Sequence, residues 1–146
     1  RGLVGSEMCI RDRSYNLKMN SILIFCSGLI SGMIIFQSAL VAPTIFKVIP
    51  EDQAGPFLRS IFPKLFLTIA FIGSLSFIIS LFNNNLLLSL ISLGTVIFMA
   101  TCYYLVPMTN RARDRGNTSL FNKLHFVSVA LTLLVLLGNI SLIMFI

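Results

Sequence analysis

Apolar residues fill three long stretches of the chain, and charged residues are confined to the segments between them. No charge occurs from Met19 to Phe46, from Leu65 to Asn110, or from Leu124 to Ile146. The polar run Asn83-Asn84-Asn85 divides the middle stretch into two apolar segments. Each is about 20 residues long, the length that about 30 Å of hydrocarbon requires. The pattern therefore predicts four membrane spans, near residues 20–42, 62–82, 86–106 and 124–146.

The apolar runs are continuous, whereas the strands of a membrane barrel alternate between apolar and polar positions. Helices are then the way to satisfy backbone polar groups in lipid. The 146 residues are 56% hydrophobic and 11% charged, against about 25% charged in soluble domains, and the mean hydropathy is +0.92. This composition excludes a soluble enzyme, a disordered tail and a disulfide-stapled secreted module. The predicted fold class is an all-α integral membrane protein, with four transmembrane helices in an antiparallel bundle.

The first 18 residues differ in character from the rest. The segment Leu3–Arg13 resembles the in-frame translation of a transposase sequencing adaptor, so we expect residues 1–18 to be a non-native leader. The alternative is a short basic amphipathic leader. Met19 stands directly before the first apolar run and is the expected start of a single four-helix domain, residues 19–146. That run is too long for a signal-peptide core and lacks a cleavage site, so we expect the first span to be retained.

The distribution of basic residues predicts the orientation of the spans. The Asn turn and the C-terminus carry no Lys or Arg. The positive-inside rule therefore places both long connections in the cytoplasm and both termini on the opposite side of the cytoplasmic (inner) membrane. The basic residues of the two connections are Lys47, Arg59 and Lys64 in the first, and Arg111, Arg113, Arg115 and Lys123 in the second.

A short interfacial helix is predicted just before the second span. Gly55-Pro56 has the form of an N-cap followed by a proline at the first helical position. The apolar residues of 57–62 then share one face, which we expect to lie in the interface, with Arg59 and Ser60 toward water. Pro63 is expected to kink the chain as it enters the span. The segment is either a simple re-entry elbow or a docking surface.

Basic residues beside the membrane are also candidates for contacts with anionic lipid head groups or a protein partner, at about 1 kcal/mol per charge. A nucleic-acid partner is not expected, because no aromatic residues are interleaved with the arginines of the second connection. These arginines are first of all determinants of orientation. The candidates are Arg59, Lys64, Arg111, Arg113 and Arg115.

Polar residues form a stripe along the fourth span. His125, Ser128, Thr132 and Asn139 fall within about 40° of one another on a helical wheel. Polar groups in a membrane cost free energy unless they find a partner or water, so this stripe should face the bundle. One interpretation is that these side chains hold helices together, at about 0.6 kcal/mol per interhelical bond. The other is a polar path between the first and fourth spans, with Gln37 and His125 near its cytoplasmic mouth.

The first span combines serine and glycine residues at helical spacing. Ser27, Ser31 and Ser38 lie close to a single stripe. Gly28 and Gly32 beside them have the small-xxx-small spacing at which transmembrane helices approach closely. We therefore expect another helix to pack on this part of the span.

A copper site is the third hypothesis for the chain. Cys102, His125, Met99 and Met108 should lie toward the cytoplasmic side of the third and fourth spans, and soft ligands of this kind suit Cu(I). No CxxC, HxxxH or MxxxM pair occurs in the sequence, however, so the spacing predicts no metal site. A disulfide between Cys26 and Cys102 is not expected, because antiparallel threading places the two thiols at opposite ends of their spans.

The sequence predicts neither a catalytic residue nor a cofactor-binding residue. The acidic residues after residue 18 are Glu51, Asp52 and Asp114, and all three fall in the connections. No arrangement of nucleophile, base and orienting group is supported by spacing, and proton pumping through buried carboxylates is excluded. We do not expect an enzyme. His125 is the one group in the predicted bundle that titrates near neutral pH.

A series of short motifs runs from the first span to the fourth. The motifs are Ser27-Gly28, Gly32, Phe36, Val41-Ala42-Pro43, Phe46-Lys47, Pro50, Ala54-Gly55, Ile61-Phe62-Pro63, Pro107, Asn110-Arg111-Ala112-Arg113, Leu124-His125, Ser128 and Asn139. In this order and spacing, the chain resembles a family of small membrane proteins known as a domain of unknown function, which is similar to the eukaryotic transmembrane protein two-hundred-and-five. The resemblance implies a four-helix membrane bundle and supplies no reaction. One departure is Phe66, which stands where the family often has an aromatic hydroxyl.

These observations predict a multi-pass membrane protein that serves as a structural or interaction component of the cytoplasmic membrane. The alternative is a small conduit or carrier for a proton, ion or small solute, and the third hypothesis is a protein that handles Cu(I). Four short helices enclose little volume, so a homo-oligomer or another membrane protein is a reasonable partner.

Overall fold

A computed structural model describes the backbone of residues 3–83 and 85–145 and the side chains of residues 17–50, 52–83 and 85–144. All regular structure in this part of the chain is helical. The elements are α1 (Leu3–Ile35), a π-helical segment (Phe36–Val41), α2 (Ala42–Val48), α3 (Glu51–Phe82), α4 (Leu86–Asp114) and α5 (Thr118–Phe145).

Four of the described helical stretches are long and apolar enough to cross a membrane. Their most apolar windows have mean hydropathies between 2.0 and 2.4, and large apolar side chains such as Phe25 and Phe71 are exposed on their outer faces. The prediction of an all-helical multi-pass membrane protein is confirmed. The first, second, third and fourth spans are Leu17–Val48, Asp52–Phe82, Leu86–Asp114 and Thr118–Met144.

The first span continues past the proline at which we predicted its end. Pro43 lacks the N–H that a regular helix would donate to the carbonyl of Ala39. The backbone before it is π-helical, and the N–H of Ala42 donates to the carbonyl of Gln37. The helix then resumes as α2 and ends at Val48. The residues that we set aside as a leader continue α1 back to Leu3, while the side chains of residues 1–16 lie outside the described part.

The second span begins earlier than predicted, and the separate short helix before it was wrong. α3 is one helix from Glu51 to Phe82 that contains both Pro56 and Pro63. It starts after Pro50, whose carbonyl accepts the N–H groups of Gln53 and Ala54. A proline inside a helix removes one hydrogen bond and crowds the preceding turn, yet α3 continues through both prolines. Phe62 and Phe66, on either side of Pro63, stack at 6.0 Å between ring centroids.

Polar residues and one glycine define the remaining helix ends. The predicted Asn turn is confirmed between α3 and α4, although Asn84 lies outside the described residues. The side chain of Asn85 accepts the N–H groups of Leu87 and Leu88, as an N-cap does. Gly116 has φ of +67°, the left-handed conformation that commonly follows a helix. Asn117 then caps α5 by accepting the N–H of Leu120.

The spans pack in a fixed order. α3 packs along α4, α4 along α5, and α1 against both α3 and α5. Between α3 and α4, Arg59 contacts Asp114 at one end and Ser80 contacts Ser89 at the other, so the residue numbers run in opposite directions along the two helices. The Asn turn therefore joins two helix ends that lie close together in space.

Three apolar clusters form the core. The large cluster joins all four spans, the small cluster joins the first, third and fourth, and the loop cluster joins α2 to the start of α3. Their buried members are Ile30, Ile34, Phe66, Ile69, Met99, Cys102 and Val135 in the large cluster, Leu23, Leu88 and Leu142 in the small cluster, and Ile45, Ala54 and Leu58 in the loop cluster.

Candidate functional site

Asn139 is the buried member of the predicted polar stripe. Its side chain is 3% exposed. The amide nitrogen Nδ2 donates to Thr95 Oγ1 at 3.0 Å and to the carbonyl of Val135 at 2.9 Å. The first bond crosses from α5 to α4, and the second stays within α5. Asn139 therefore joins the fourth span to the third.

The middle of the stripe also contacts the third span. Ser128 and Thr132 are half-buried. Their hydroxyls donate to carbonyls one turn back on α5, those of Leu124 and Ser128, at 3.1 and 2.7 Å. The buried thiol of Cys102 on α4 donates to the carbonyl of Ser128, with 3.7 Å between Sγ and the oxygen. These hydroxyl protons are directed to backbone carbonyls, as is usual for Ser and Thr in helices.

The two remaining members of the predicted site lie apart from this contact. His125 is exposed, and its ring stacks on Phe121 with 5.8 Å between ring centroids. Gln37 is 7% exposed on the first span, and its Nε2 has no hydrogen-bond partner. Among the described contacts, Asn139 and Ser128 meet the third span, and the polar path between the first and fourth spans stays a prediction. A helical wheel gives the angle of a face but does not say which neighbour packs on it.

Gly28 and Gly32 face outward on the first span. Both are exposed, and a Cβ added at either position would meet no atom within 4 Å. They form the floor of a shallow apolar groove whose walls are Phe25, Leu29, Met33 and Phe36. The helix that we expected to pack on these glycines is therefore absent among the described residues of the chain. By contrast, Ser27 and Ser31 are buried against the bundle.

An ion pair links the start of α3 to the end of α4, beyond the apolar parts of these spans. Arg59 Nη1 donates to Asp114 Oδ2 at 3.0 Å, and Nη2 donates to Oδ1. Hydrogen bonding to Arg59 lowers the pKa of the Asp114 carboxyl, and the same bonds raise the pKa of the Arg59 guanidinium. We predicted that Arg59 points to water. Its side chain is 36% exposed, but it is paired with Asp114.

The other residues predicted to contact head groups lie at the same end of the bundle as the ion pair between Arg59 and Asp114. Lys64, Arg111, Arg113 and Arg115 are all exposed. Arg113 also approaches the start of α3, since its Nη1 lies 3.9 Å from the position that a Cβ on Gly55 would occupy. With Arg59, these residues give this end of the molecule a concentration of positive charge, which attracts anionic groups.

The residues of the copper hypothesis are divided between the core and the surface. Met99 and Cys102 are fully buried, whereas Met108 is 52% exposed and His125 is exposed. Within the described part of the chain, no three His, Cys, Asp or Glu side chains lie close enough to hold a metal ion. Cys26 and Cys102 are both free thiols.

Four of the described buried polar residues were not predicted from the sequence: Ser76, Ser80, Ser92 and Thr95. They are 0–3% exposed, and Ser76 Oγ has no hydrogen-bond partner. A signal for two of them exists in the sequence. Leu88, Ser92, Thr95, Met99 and Cys102 recur at intervals of three or four residues and share the buried face of α4.

Comparison with known proteins assigns the family but no activity. Residues 25–118 match the family described as "Domain of unknown function (DUF4149)". The chain is also similar to an "Uncharacterized protein" of Aquifex aeolicus (strain VF5), with 34% identity over 107 residues, which cover 73% of this chain and 80% of that protein. No solved structure matches the chain.

Proposed function

We propose a function for this chain, which belongs to the family "Domain of unknown function (DUF4149)". It is a structural or interaction component of the cytoplasmic membrane, and it associates through its first span. The observation that carries this proposal is the open groove over Gly28 and Gly32. Glycines at this spacing let transmembrane backbones approach closely. Within the described chain nothing approaches either of them.

A second copy of this chain is the proposed occupant of the groove. Its floor and walls carry no charge, and they consist of two glycines and four large apolar side chains on one face of the first span. A two-fold interface uses the same patch on both subunits. Two such faces can therefore pack against each other, with the side chains of one helix beside the glycines of the other, and no unpaired polar group enters the interface.

The internal polar contacts support a structural role for the fourth span. Asn139 bonds Thr95 on the neighbouring helix, and the thiol of Cys102 on the same helix bonds the carbonyl of Ser128. Interhelical bonds of this kind contribute about 0.6 kcal/mol each. The hydroxyls of Ser128 and Thr132 bond carbonyls of their own helix. A conduit or carrier is the alternative function, and it requires water along the whole stripe. A Cu(I) function draws no support from the placement of Cys102 and His125.

The proposed arrangement in the membrane is an antiparallel bundle with both termini outside and the two basic connections, with the helix ends beside them, in the cytoplasm. The excess of Lys and Arg in those connections supports this orientation. The exposed arginines near Asp114, together with Lys64, are proposed to contact anionic head groups, with residues 55–62 of α3 in the interface. No catalytic role is proposed for any residue. A relationship to the eukaryotic transmembrane protein two-hundred-and-five would mean that the eukaryotic protein has the same four-helix architecture.

Subunit counting in lipid bilayers tests the proposed association. The full chain is labelled at one site with a fluorophore and reconstituted at low density, and photobleaching steps are counted for each particle. We expect mostly two steps for the natural chain and one step for Gly28→Ile, because the added side chain fills the groove. Gly94→Ile is the matched control, because a Cβ added at Gly94 on α4 would also meet no atom within 4 Å. This variant should keep two steps. One step for the natural chain, or two steps for Gly28→Ile, would contradict the proposal.

A further inference from the structure

A layer of buried polar side chains separates the large apolar cluster from the small one. Its members come from all four spans, and each is at most 3% exposed. On the first span the layer lies between Leu23 and Ile30, and on the third it lies between Leu88 and Met99. Each pair has one residue in the small cluster and one in the large cluster. The polar layer consists of Ser27, Ser76, Ser92, Thr95 and Asn139.

Contacts between neighbouring helices place these residues at one depth. Asn83 on α3 donates to Asn20 on α1. Ser27 lies two helical turns from Asn20 on α1, and Ser76 lies two helical turns from Asn83 on α3. Ser80 on α3 donates to Ser89 on α4 at 3.1 Å. One turn further along each helix lie Ser76 and Ser92. The bond from Asn139 to Thr95 brings α5 to the same level.

The hydrogen bonds within this layer do not satisfy all of its polar groups. Thr95 donates to the carbonyl of Ile91 and accepts from Asn139. Both bonds of Asn139 are donated by Nδ2. Ser76 Oγ is buried, with 3% of the residue exposed, and has no partner. A buried hydroxyl without a partner costs free energy, and native proteins commonly satisfy such a group with an internal water.

We propose that the polar layer is a binding site for internal water, with Ser76 Oγ as its principal contact. A buried water needs two to four polar partners, and Ser27, Ser92 and Asn139 lie at the same depth as Ser76. An ion is a poor occupant because no charged side chain lies in the layer to balance it. The small apolar cluster lies on one side of the layer and the large apolar cluster on the other. We therefore expect the water to be resident in the layer rather than part of a continuous route through the bundle.

Water-edited solid-state NMR of the full chain in lipid bilayers tests this proposal. With Ser and Asn labelled by isotope, magnetisation starts on water and is detected on protein side chains. We expect cross-peaks at Ser76 and Asn139, and none at labelled Val135 in the large cluster. In Ser76→Val the cross-peak at Asn139 should be lost. Ser74→Ala is the matched control, because Ser74 donates to its own helix at Ala70, and it should keep the cross-peak.

The cross-peaks show whether the polar layer contains water. Absence of water cross-peaks at both Ser76 and Asn139 in the natural chain overturns the proposal. So does an undiminished Asn139 cross-peak in Ser76→Val, which would show that Ser76 does not hold the water. The backbone spectrum reports whether each variant folds, and Ser76→Ala replaces Ser76→Val if the larger side chain prevents folding. The result is independent of the number of subunits.

Discussion

At the scale of single residues, the glycines of the spans differ in what surrounds them. Gly73 on α3 is buried, and a Cβ there would lie 3.0 Å from Thr95 Cγ2 and 3.3 Å from Val96 Cγ2. Gly94 on α4 has no atom within 4 Å of the same position. A glycine is required where atoms of a neighbouring helix leave no room for a Cβ. Where that space is open, a glycine inside a helix lowers the stability of the fold relative to alanine.

These environments predict opposite effects for the same substitution. Gly73→Ala should destabilise the chain by about 1–3 kcal/mol, the usual result of overpacking, because Thr95 must move away from α3. Gly94→Ala should stabilise it by about 0.5–1 kcal/mol through helix propensity alone. Unfolding in mixed micelles, followed by far-ultraviolet circular dichroism, measures both. If Gly73→Ala proves as stable as Gly94→Ala, the close packing of α3 on α4 is wrong.

The sequence predicted part of the candidate site at this scale. Asn139 is buried, as the helical wheel requires for the one amide deep in the fourth span. The wheel did not distinguish it from His125, which is exposed near the end of the same face. It also gave no reason to single out Ser76, because serine is common in membrane helices and usually bonds its own backbone. Only the packing of four helices shows that this hydroxyl is left without a partner.

At the scale of helices, the apolar runs predicted the number of spans correctly but placed their ends poorly. α3 begins at Glu51 and α4 continues to Asp114, so both extend well beyond the apolar segments. Hydropathy reports the part of a helix that lies in hydrocarbon, and a helix can continue into water. We expected Pro63 to kink the chain because proline is disfavoured inside a helix, and α3 continues through it without ending.

The ion pair of Arg59 and Asp114 joins the parts of α3 and α4 that extend beyond the apolar segments. The strength of this pair can be predicted. In a double-mutant cycle with Arg59→Gln and Asp114→Asn, we expect a small favourable coupling that disappears in about 1 M salt, because exposed pairs are screened. Lys64→Gln combined with Asp114→Asn is the matched control and should show no coupling. Thermal unfolding of each variant in detergent provides the stabilities.

The coupling should also depend on pH in one direction. The pKa of Asp114 is lowered in the folded chain, so its contribution is fully present above the unfolded value of about 3.9. It should be lost as the pH falls through the lowered folded pKa. Equal coupling at low and neutral pH, or coupling for Lys64, would contradict the assigned ion pair.

At the scale of the whole molecule, the charge pattern predicted a four-span membrane protein, but the order of packing required the structure. All four spans have similar hydropathy, and lipid is as apolar as the helix surfaces, so hydropathy does not select neighbours. The selection comes from specific contacts such as Asn139 with Thr95 and Asn83 with Asn20. The first span keeps one face free of such contacts, and that face carries the proposed association.

Thiol labelling tests most directly whether the bundle is packed, with polar side chains joining its helices and its two basic connections in the cytoplasm. Single cysteines are placed at positions 125, 128, 132 and 139, in a background without Cys9, Cys26 and Cys102, and a membrane-impermeant thiol reagent is added from each side. We predict labelling at position 125 alone, from the cytoplasmic side. Labelling along all four positions would contradict the account, because it would show a water-filled route along the fourth span.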